Sequence, residues 1–337
     1  MNCSFNIKQQ SKIYIGAASE VLPEVLPAGR IIVISDAAVD RLHHALLAPF
    51  ETILIGTGET IKTLTTVEMI YLRLVDMGAD RQTFLLGVGG GIVTDLTGFI
   101  ASTYMRGVRF GFVSTTLLGQ VDASVGGKNG VNVGGYKNMV GTFTQPQFVV
   151  SDPALLRTLP DREFRAGLAE MIKMGVVADA ALFEHIEQST YATLRGDVEQ
   201  LTELIRAAIG AKVAIVERDE REAGERRKLN LGHTLAHAIE KCSNTTNHGE
   251  AVAIGTAMIV RAAMRQGVLT QSEGDRIVHL FEQLGFTITT NVDMRRLMKA
   301  VAKDKKNEDG KLHVVIPTAI GVCEVRKMVA EQFAELF

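Results

Sequence analysis

The sequence predicts two domains of different class, an α/β domain over residues 1–155 and a mainly α-helical domain over 156–337. Short β-rich runs alternate with helical stretches through the first half, the order of a parallel sheet with helices on both faces. After Pro160 the strands give way to a succession of helical runs. A length of 337 residues with 46% hydrophobic side chains is enough for two cores.

Ile31 to Ser35 reads as a buried strand that ends at Asp36, and Ala37 to Leu47 as a helix. Glu51 to Ile55 is a second strand. Ile61 to Met77 has helical spacing and stops at Gly78. Thr83 to Val88 is a third strand that runs into Gly89-Gly90-Gly91. Arg109 to Ser114 and Phe148 to Val150 are further strands. Between them, Gly126 to Gly141 is rich in Gly and Asn and carries Lys128 and Lys137, so a loop wrapped around a ligand is expected. Beyond Pro160, helices are expected over 161–177, 197–217, 231–243, 250–266 and 272–284, punctuated by Gly, Asp or Asn. A closing pair of strands is expected at Leu312 to Pro317 and Gly321 to Val325.

A formal net charge of −2 gives no sign of a nucleic-acid partner, which calls for a basic surplus. Cys3, Cys242 and Cys323 stand far apart and suggest neither a disulfide framework nor a thiolate zinc site. The opening MNCSFNIKQQSKIYIG lacks the apolar run of a signal peptide, and no apolar run reaches membrane-spanning length. A cytoplasmic protein without a membrane partner is expected.

His233 and His237 lie four apart in GHTLAHAIEK, on one face of a predicted helix. His248 precedes another helical run, and Glu170 lies in a third. Together they offer imidazoles and a carboxylate to a divalent metal. Equally, these histidines could cap helices or satisfy buried polar neighbours. GVGGGIVTD (87–95) follows a strand and opens a helix, a place where backbone amides can meet a pyrophosphate, although its spacing also suits a tight turn. Asp36 could accept from a ribose hydroxyl or cap a helix. Glu59 and Lys62 could hold a cofactor or form a surface ion pair. Arg106, Lys128, Lys137, Lys173, Lys212, Arg226 and the pair Lys305 and Lys306 sit in motif-like settings, with Asn138 and Asn230 as neutral donors. Such a set suits a small ligand bearing both phosphate and carboxylate.

These segments resemble, in order, those of the 3-dehydroquinate synthase family within the sugar phosphate cyclases. They are GETIK (58–62), GGGIVTDLTGF (89–99), YMRGVRF (104–110), STTLLGQVDASVGGKNGVN (114–132), KNMVGTFTQP (137–146), RTLPDREFRAGLAEMIK (157–173), ERRKLNLGHTLAHAIE (225–240), HGEAVAIG (248–255) and DKK (304–306). The resemblance implies an N-terminal nucleotide-binding α/β domain and a helical domain that binds metal and substrate. It implies zinc, or cobalt, on Glu170, His233 and His248, and makes His237 a substrate or acid–base residue. It implies NAD contacts from Asp36, Gly58, Glu59, Lys62, Gly89, Gly90, Gly91, Asp95, Thr115, Thr116, Asp122, Lys128, Lys137 and Thr158. It implies substrate contacts from Asp122, Lys128, Lys137, Asn138, Lys173, Lys212, Arg226, Asn230 and His237, with phosphate met by Lys305 or Lys306. A homodimer is implied, with Arg106 reaching the neighbouring subunit's phosphate site. The reaction implied turns 3-deoxy-D-arabino-heptulosonate 7-phosphate into 3-dehydroquinate and phosphate. Departures from the family pattern stand at Ser114, Gly119, Asn129, Thr144 and Ala236; they leave the metal ligands intact and bear on the substrate, so another sugar phosphate cyclase such as a 2-deoxy-scyllo-inosose synthase is the first alternative, and a metal-dependent polyol dehydrogenase, which shares the two-domain plan and the metal, is the second.

Overall fold

A strand covered on both faces needs an unbroken apolar run, and the β-rich segments of the first half supply it. The computed structural model describes residues 3–8, 10–243, 245–302 and 310–337, and the chain divides into two compact units, Met1–Phe164 and Arg165–Phe337. The first unit opens with β1 (Cys3–Ile7), β2 (Ser11–Ile15) and α1 (Ala18–Val25). β3 (Ile31–Asp36), α2 (Ala37–Leu47), β4 (Glu51–Ile55), α3 (Leu64–Asp76), β5 (Phe84–Gly89), α4 (Gly91–Thr103) and β6 (Phe110–Ser114) follow. β7 (Lys128–Val133), β8 (Tyr136–Phe143) and β9 (Phe148–Ser151) come last.

Seven strands form one sheet in the order β1-β2-β9-β6-β5-β3-β4, parallel except for the β1–β2 hairpin. β5, β6 and β9 are buried along their whole length. Val33, Leu86, Val88, Val113 and Val150 share one core, and Phe84 stacks on Phe148 with ring centres 5.6 Å apart. The order reverses at β3. The chain steps outward from β3 to β4, then returns to lay β5 on the other side of β3. Asp36 and Gly89 end these two neighbouring strands, at the switch point where an open α/β sheet forms a ligand crevice.

Two parts of this unit differ from the sequence expectation. The β1–β2 hairpin and α1 precede the first expected strand: CSFNI and SKIYI interleave polar and apolar residues and lack the unbroken apolar run of the strands buried on both faces. Gly126 to Gly141 is largely not a loop: β7 and β8 pair antiparallel. Gly134 and Gly135 link them with φ of 60° and 77°. Two successive positive φ values are what a type I′ turn requires, and its twist matches that of the strands it joins.

The second unit is helical, with α5 (Asp161–Ala178) leading into it. α6 (Ala180–Glu187), α7 (Tyr191–Gly196), α8 (Val198–Arg218), α9 (His233–Cys242), α10 (His248–Arg265), α11 (Gln271–Gln283) and α12 (Met294–Ala302) follow. β10 (Leu312–Ala319) and β11 (Val322–Met328) pair antiparallel before α13 (Ala330–Ala334). The helices α6, α7, α12 and α13 were not expected from the sequence, because five to nine residues span at most about two and a half turns and show little helical periodicity. Helix α10 closes on α5 because residue 249 lacks a side chain: a Cβ on Gly249 would stand 2.2 Å from Ala166 Cα. Further along, a Cβ on Gly255 would stand 2.3 Å from the carbonyl oxygen of Gly232, just before α9. These approaches seat α10 against both α5 and the start of α9. No helix among the described residues is long and apolar enough to cross a membrane.

Candidate active site

Three helices of the second unit each bring one side chain to a shared point. Glu170 lies midway along α5, while His233 and His248 are the first residues of α9 and α10. One ligand atom from each lies within 4.8 Å of the other two. Glu170 Oε1 is 3.3 Å from His248 Nε2 and 3.6 Å from His233 Nε2. Donors around a tetrahedral zinc with bonds of about 2.0–2.1 Å stand roughly 3.3 Å apart, so the residues fit a divalent ion. Both Glu170 oxygens are shut from solvent and neither accepts a hydrogen bond of good geometry, although Lys173 Nζ lies against Oε2. Burying a carboxylate is costly without cations beside it; Lys173 supplies one, and a divalent ion between Glu170 and the two imidazoles would supply another.

Neither histidine caps its helix. Asn247 caps α10 through a reciprocal pair of bonds with Glu250, and the residue before His233 is a glycine. Burial pulls the His248 imidazolium down, but the carboxylates of Glu170 and Glu240 outweigh it and hold His248 up, at about 9. Burial pushes His233 well below its ordinary value, helped by positive charge at Lys173, His248 and His237. The two imidazoles are thus pushed in opposite directions by their surroundings, and a divalent cation would need a bare nitrogen from each.

The His237 ring stands edge-on to that of His233, centres 5.6 Å apart. Lys212 on α8 and Arg226 are buried. A turn anchored by Asp219 presents Arg226: its carboxylate accepts from the amides of Ala223, Gly224 and Arg226 at 2.7–2.9 Å. Asn230 Nδ2 donates to Glu222, a residue the sequence reading passed over. Lys305 and Lys306 lie outside the described residues.

In the first unit, Gly90 stands at the N-cap of α4 and offers no side-chain oxygen to the first-turn amides, as at helix starts that receive phosphate. A Cβ there would crowd Thr116 at 2.8 Å. The Thr115 amide donates to Gly89 O, and Thr116 Oγ1 accepts from the Gly119 amide, so both threonines flank the Gly89–Gly91 turn. These features fit a dinucleotide. Asp36 does cap α2, its Oδ1 accepting from Ala38 and Val39 at 2.8 and 3.0 Å.

Glu59 and Lys62 do not pair with each other. Lys62 Nζ is buried against Asp95 and donates to Asn138 Oδ1 at 2.5 Å, while Glu59 accepts from Asn132 at 2.7 Å. Burial pushes the Asp95 carboxyl up, against the opposing pull of Lys62. Asn132 Oδ1 also accepts from the Asn138 amide at 2.9 Å. One Asn and one Lys thus tie the β7–β8 hairpin to the turn that begins at Gly58 and to α4. The sequence reading gives Asn132 no role of its own; recognising Gly134-Gly135 as a hairpin turn would have set it beside the Lys137–Asn138 strand. Lys128 opens β7, and Asp122 lies in the preceding turn, Gly119–Ala123. Arg106 is exposed in a turn after α4, with a φ of 69°. Thr158 Oγ1 lies 2.9 Å from Nε2 of His43, which the sequence assigned no ligand role.

Comparison with known proteins adds a second line of argument. Family models described as 3-dehydroquinate synthase N-terminal and 3-dehydroquinate synthase C-terminal match residues 52–166 and 167–307. A 3-dehydroquinate synthase of Halorhodospira halophila is 42% identical over 319 residues, 92% of this chain and 90% of that protein. The structure of 2-epi-5-epi-valiolone synthase from Streptomyces hygroscopicus, with NAD+ and Zn2+ bound, superposes with a TM-score of 0.87 at 29% identity, covering 96% of this chain and 94% of that one. A 2-deoxy-scyllo-inosose synthase complexed with carbaglucose-6-phosphate, NAD+ and Co2+ shares the fold, with a TM-score of 0.90 at 24% identity over 100% of this chain and 99% of its own. With both halves matched in order and a relative 42% identical over 92% of its length, the chain belongs to the 3-dehydroquinate synthase family.

Proposed function

We propose that this chain converts 3-deoxy-D-arabino-heptulosonate 7-phosphate into 3-dehydroquinate and phosphate, as an NAD- and metal-dependent enzyme. The observation that carries this reading is the buried Glu170 carboxylate within 3.3–3.6 Å of two imidazoles, in a chain 42% identical to a 3-dehydroquinate synthase. Glu170, His233 and His248 would hold the divalent metal, zinc or cobalt. Residues 1–155 form the NAD-binding domain and 156–337 the metal- and substrate-binding domain. When bound, the metal supplies a Lewis acid for the substrate's C5 alcohol and NAD supplies a hydride acceptor and donor, with no net redox change.

The chain's own residues bind, orient and move protons. Gly89, Gly90 and Gly91 meet the pyrophosphate through backbone amides, and Asp36 accepts from a ribose hydroxyl. Gly58, Glu59, Lys62, Asp95, Thr115, Thr116, Lys137 and Thr158 complete the cofactor contacts. His237 carries the proton at the C5 oxygen. Lys128, Asn138 and one of Lys305 and Lys306 bind the phosphate; Lys212 and Arg226 hold the carboxylate, with Asn230, Asp122 and Lys173 beside the sugar. A ketone at C5 acidifies the C6 hydrogen, and the phosphate leaving C7 takes that proton. Once C5 is an alcohol again, ring opening would expose a C2 ketone and a C7 enol. Holding both ends of the chain makes the aldol closure nearly unimolecular.

The enzyme is a homodimer in this reading, with Arg106 near the partner's phosphate site. Its support is an exposed apolar surface on the same unit: Met105 beside Arg106, and Met139 and Phe143 on β8, which a Thr142–Ser102 hydrogen bond joins to the end of α4. Sedimentation at the mass of one chain would refute the dimer. A cytoplasmic location accords with Cys242 and Cys323 as free thiols.

Purified protein given the heptulosonate phosphate, NAD+ and Zn2+ should release phosphate without accumulating NADH. Failure to release phosphate with any of several divalent metals would overturn the assignment. Glucose 6-phosphate and simple polyols, run in parallel, test for a related cyclase or a dehydrogenase.

A further inference from the structure

Both imidazoles of the metal cluster are oriented from behind, by different means. His233 Nδ1 lies 3.1 Å from the carbonyl oxygen of Leu231, two residues earlier in the chain. A carbonyl only accepts, so Nδ1 carries the hydrogen and Nε2 keeps its lone pair toward Glu170. For His248 the corresponding contact comes from another helix: its Nδ1 lies 3.3 Å from Oε2 of Glu240 on α9. Glu240 is seven residues after His233 and shares its helical face. Its side chain is only 7% exposed. A carboxylate is not taken out of water at that depth without a use for its charge.

We propose that Glu240 is a positioning residue for the metal, fixing the His248 tautomer whose Nε2 faces Glu170 and adding negative charge behind that ligand. This rests on the assignment of Glu170, His233 and His248 as the metal site. The geometry makes α9 serve twice, with a ligand at its first residue and the support for the ligand of α10 two turns on. An ionised carboxylate behind a ligating imidazole makes it a better donor, and losing such a support typically weakens metal binding about 10–100-fold.

The test compares full-length wild type with Glu240→Ala and Glu240→Gln. Each is stripped of metal and titrated with zinc against a chromophoric chelator of known affinity. Glu240→Ala should bind zinc about 10–100-fold more weakly, and Glu240→Gln, which keeps an acceptor oxygen without the charge, should fall between it and wild type. The visible spectrum of the cobalt form should change in Glu240→Ala, because His248 is no longer held in one orientation. Thermal midpoints of the metal-free proteins report any purely structural contribution. If Glu240→Ala does not fold, Glu240→Gln decides by the same titration. Zinc affinities within about twofold of wild type, whatever the thermal midpoints, would make Glu240 a structural residue and overturn the proposal. Wild type that binds no zinc would instead bring down the metal site itself.

Discussion

At the scale of the residue, the metal cluster makes the sharpest prediction. Replacing Glu170 or His233 with alanine should abolish stoichiometric zinc, read by elemental analysis of the purified protein; full occupancy in both variants would rule out the site. Asn129 shows how one side chain satisfies two carbonyls of its own segment. It is buried, and its Nδ2 donates to the carbonyl oxygens of Thr144 at 2.9 Å and Gly127 at 3.1 Å. Threonine at 129 cannot reach both carbonyls, and Asn129→Thr should cost about 1–3 kcal/mol in denaturant unfolding. Cys323 is buried, and burial pushes its thiol up to about 12. The native protein should therefore resist alkylation at Cys323 until it unfolds, as peptide mass spectrometry can show.

At the scale of the element, close helix contact is what turns three distant residues into one site. Gly249→Ala drives a Cβ into the α5 backbone at Ala166. Because backbone cannot step aside as a side chain can, the loss should be about 1–3 kcal/mol or more, with weaker zinc binding as α10 moves off α5. A merely local effect would leave zinc affinity unchanged. The 219–226 turn has its own pH signature. Burial raises the Asp219 carboxyl, but the amides of Arg226, Gly224 and Ala223 outweigh it and lower the net value. A lowered native pKa adds stability that is present above the unfolded value of about 3.9 and lost as pH falls through the native one. Asp219→Asn should consequently flatten the acid limb of the stability profile, and an unchanged limb would exclude this role.

At the scale of the whole molecule, metal and fold are linked. Zinc bound only by the folded chain, at about 100 times its dissociation constant, should add roughly 2.7 kcal/mol. Chelation should lower the thermal midpoint and stop phosphate release, and added zinc should restore both. How much of this was readable in advance follows from length and pattern. β3, β4, β5 and the long helices α5, α8 and α10 carry enough apolar residues in register to be seen in the sequence. The β7–β8 hairpin was hidden because Gly and Asn are poor strand formers, so its composition reads as loop. Hydrogen-bond partners such as Asn132, Glu222 and Glu240 carry no periodic signal.

The sequence by itself determined the two-part plan, the family motifs and the identity of the candidate ligands, because periodicity and local motifs are properties of neighbouring residues. Tertiary structure alone decided which neighbour each polar group meets. It set Lys62 on Asp95 and Asn138 rather than on Glu59, and Glu240 behind His248. Those pairings depend on backbones many residues apart coming within a few ångströms, and glycines such as Gly249 permit that approach without announcing where it leads.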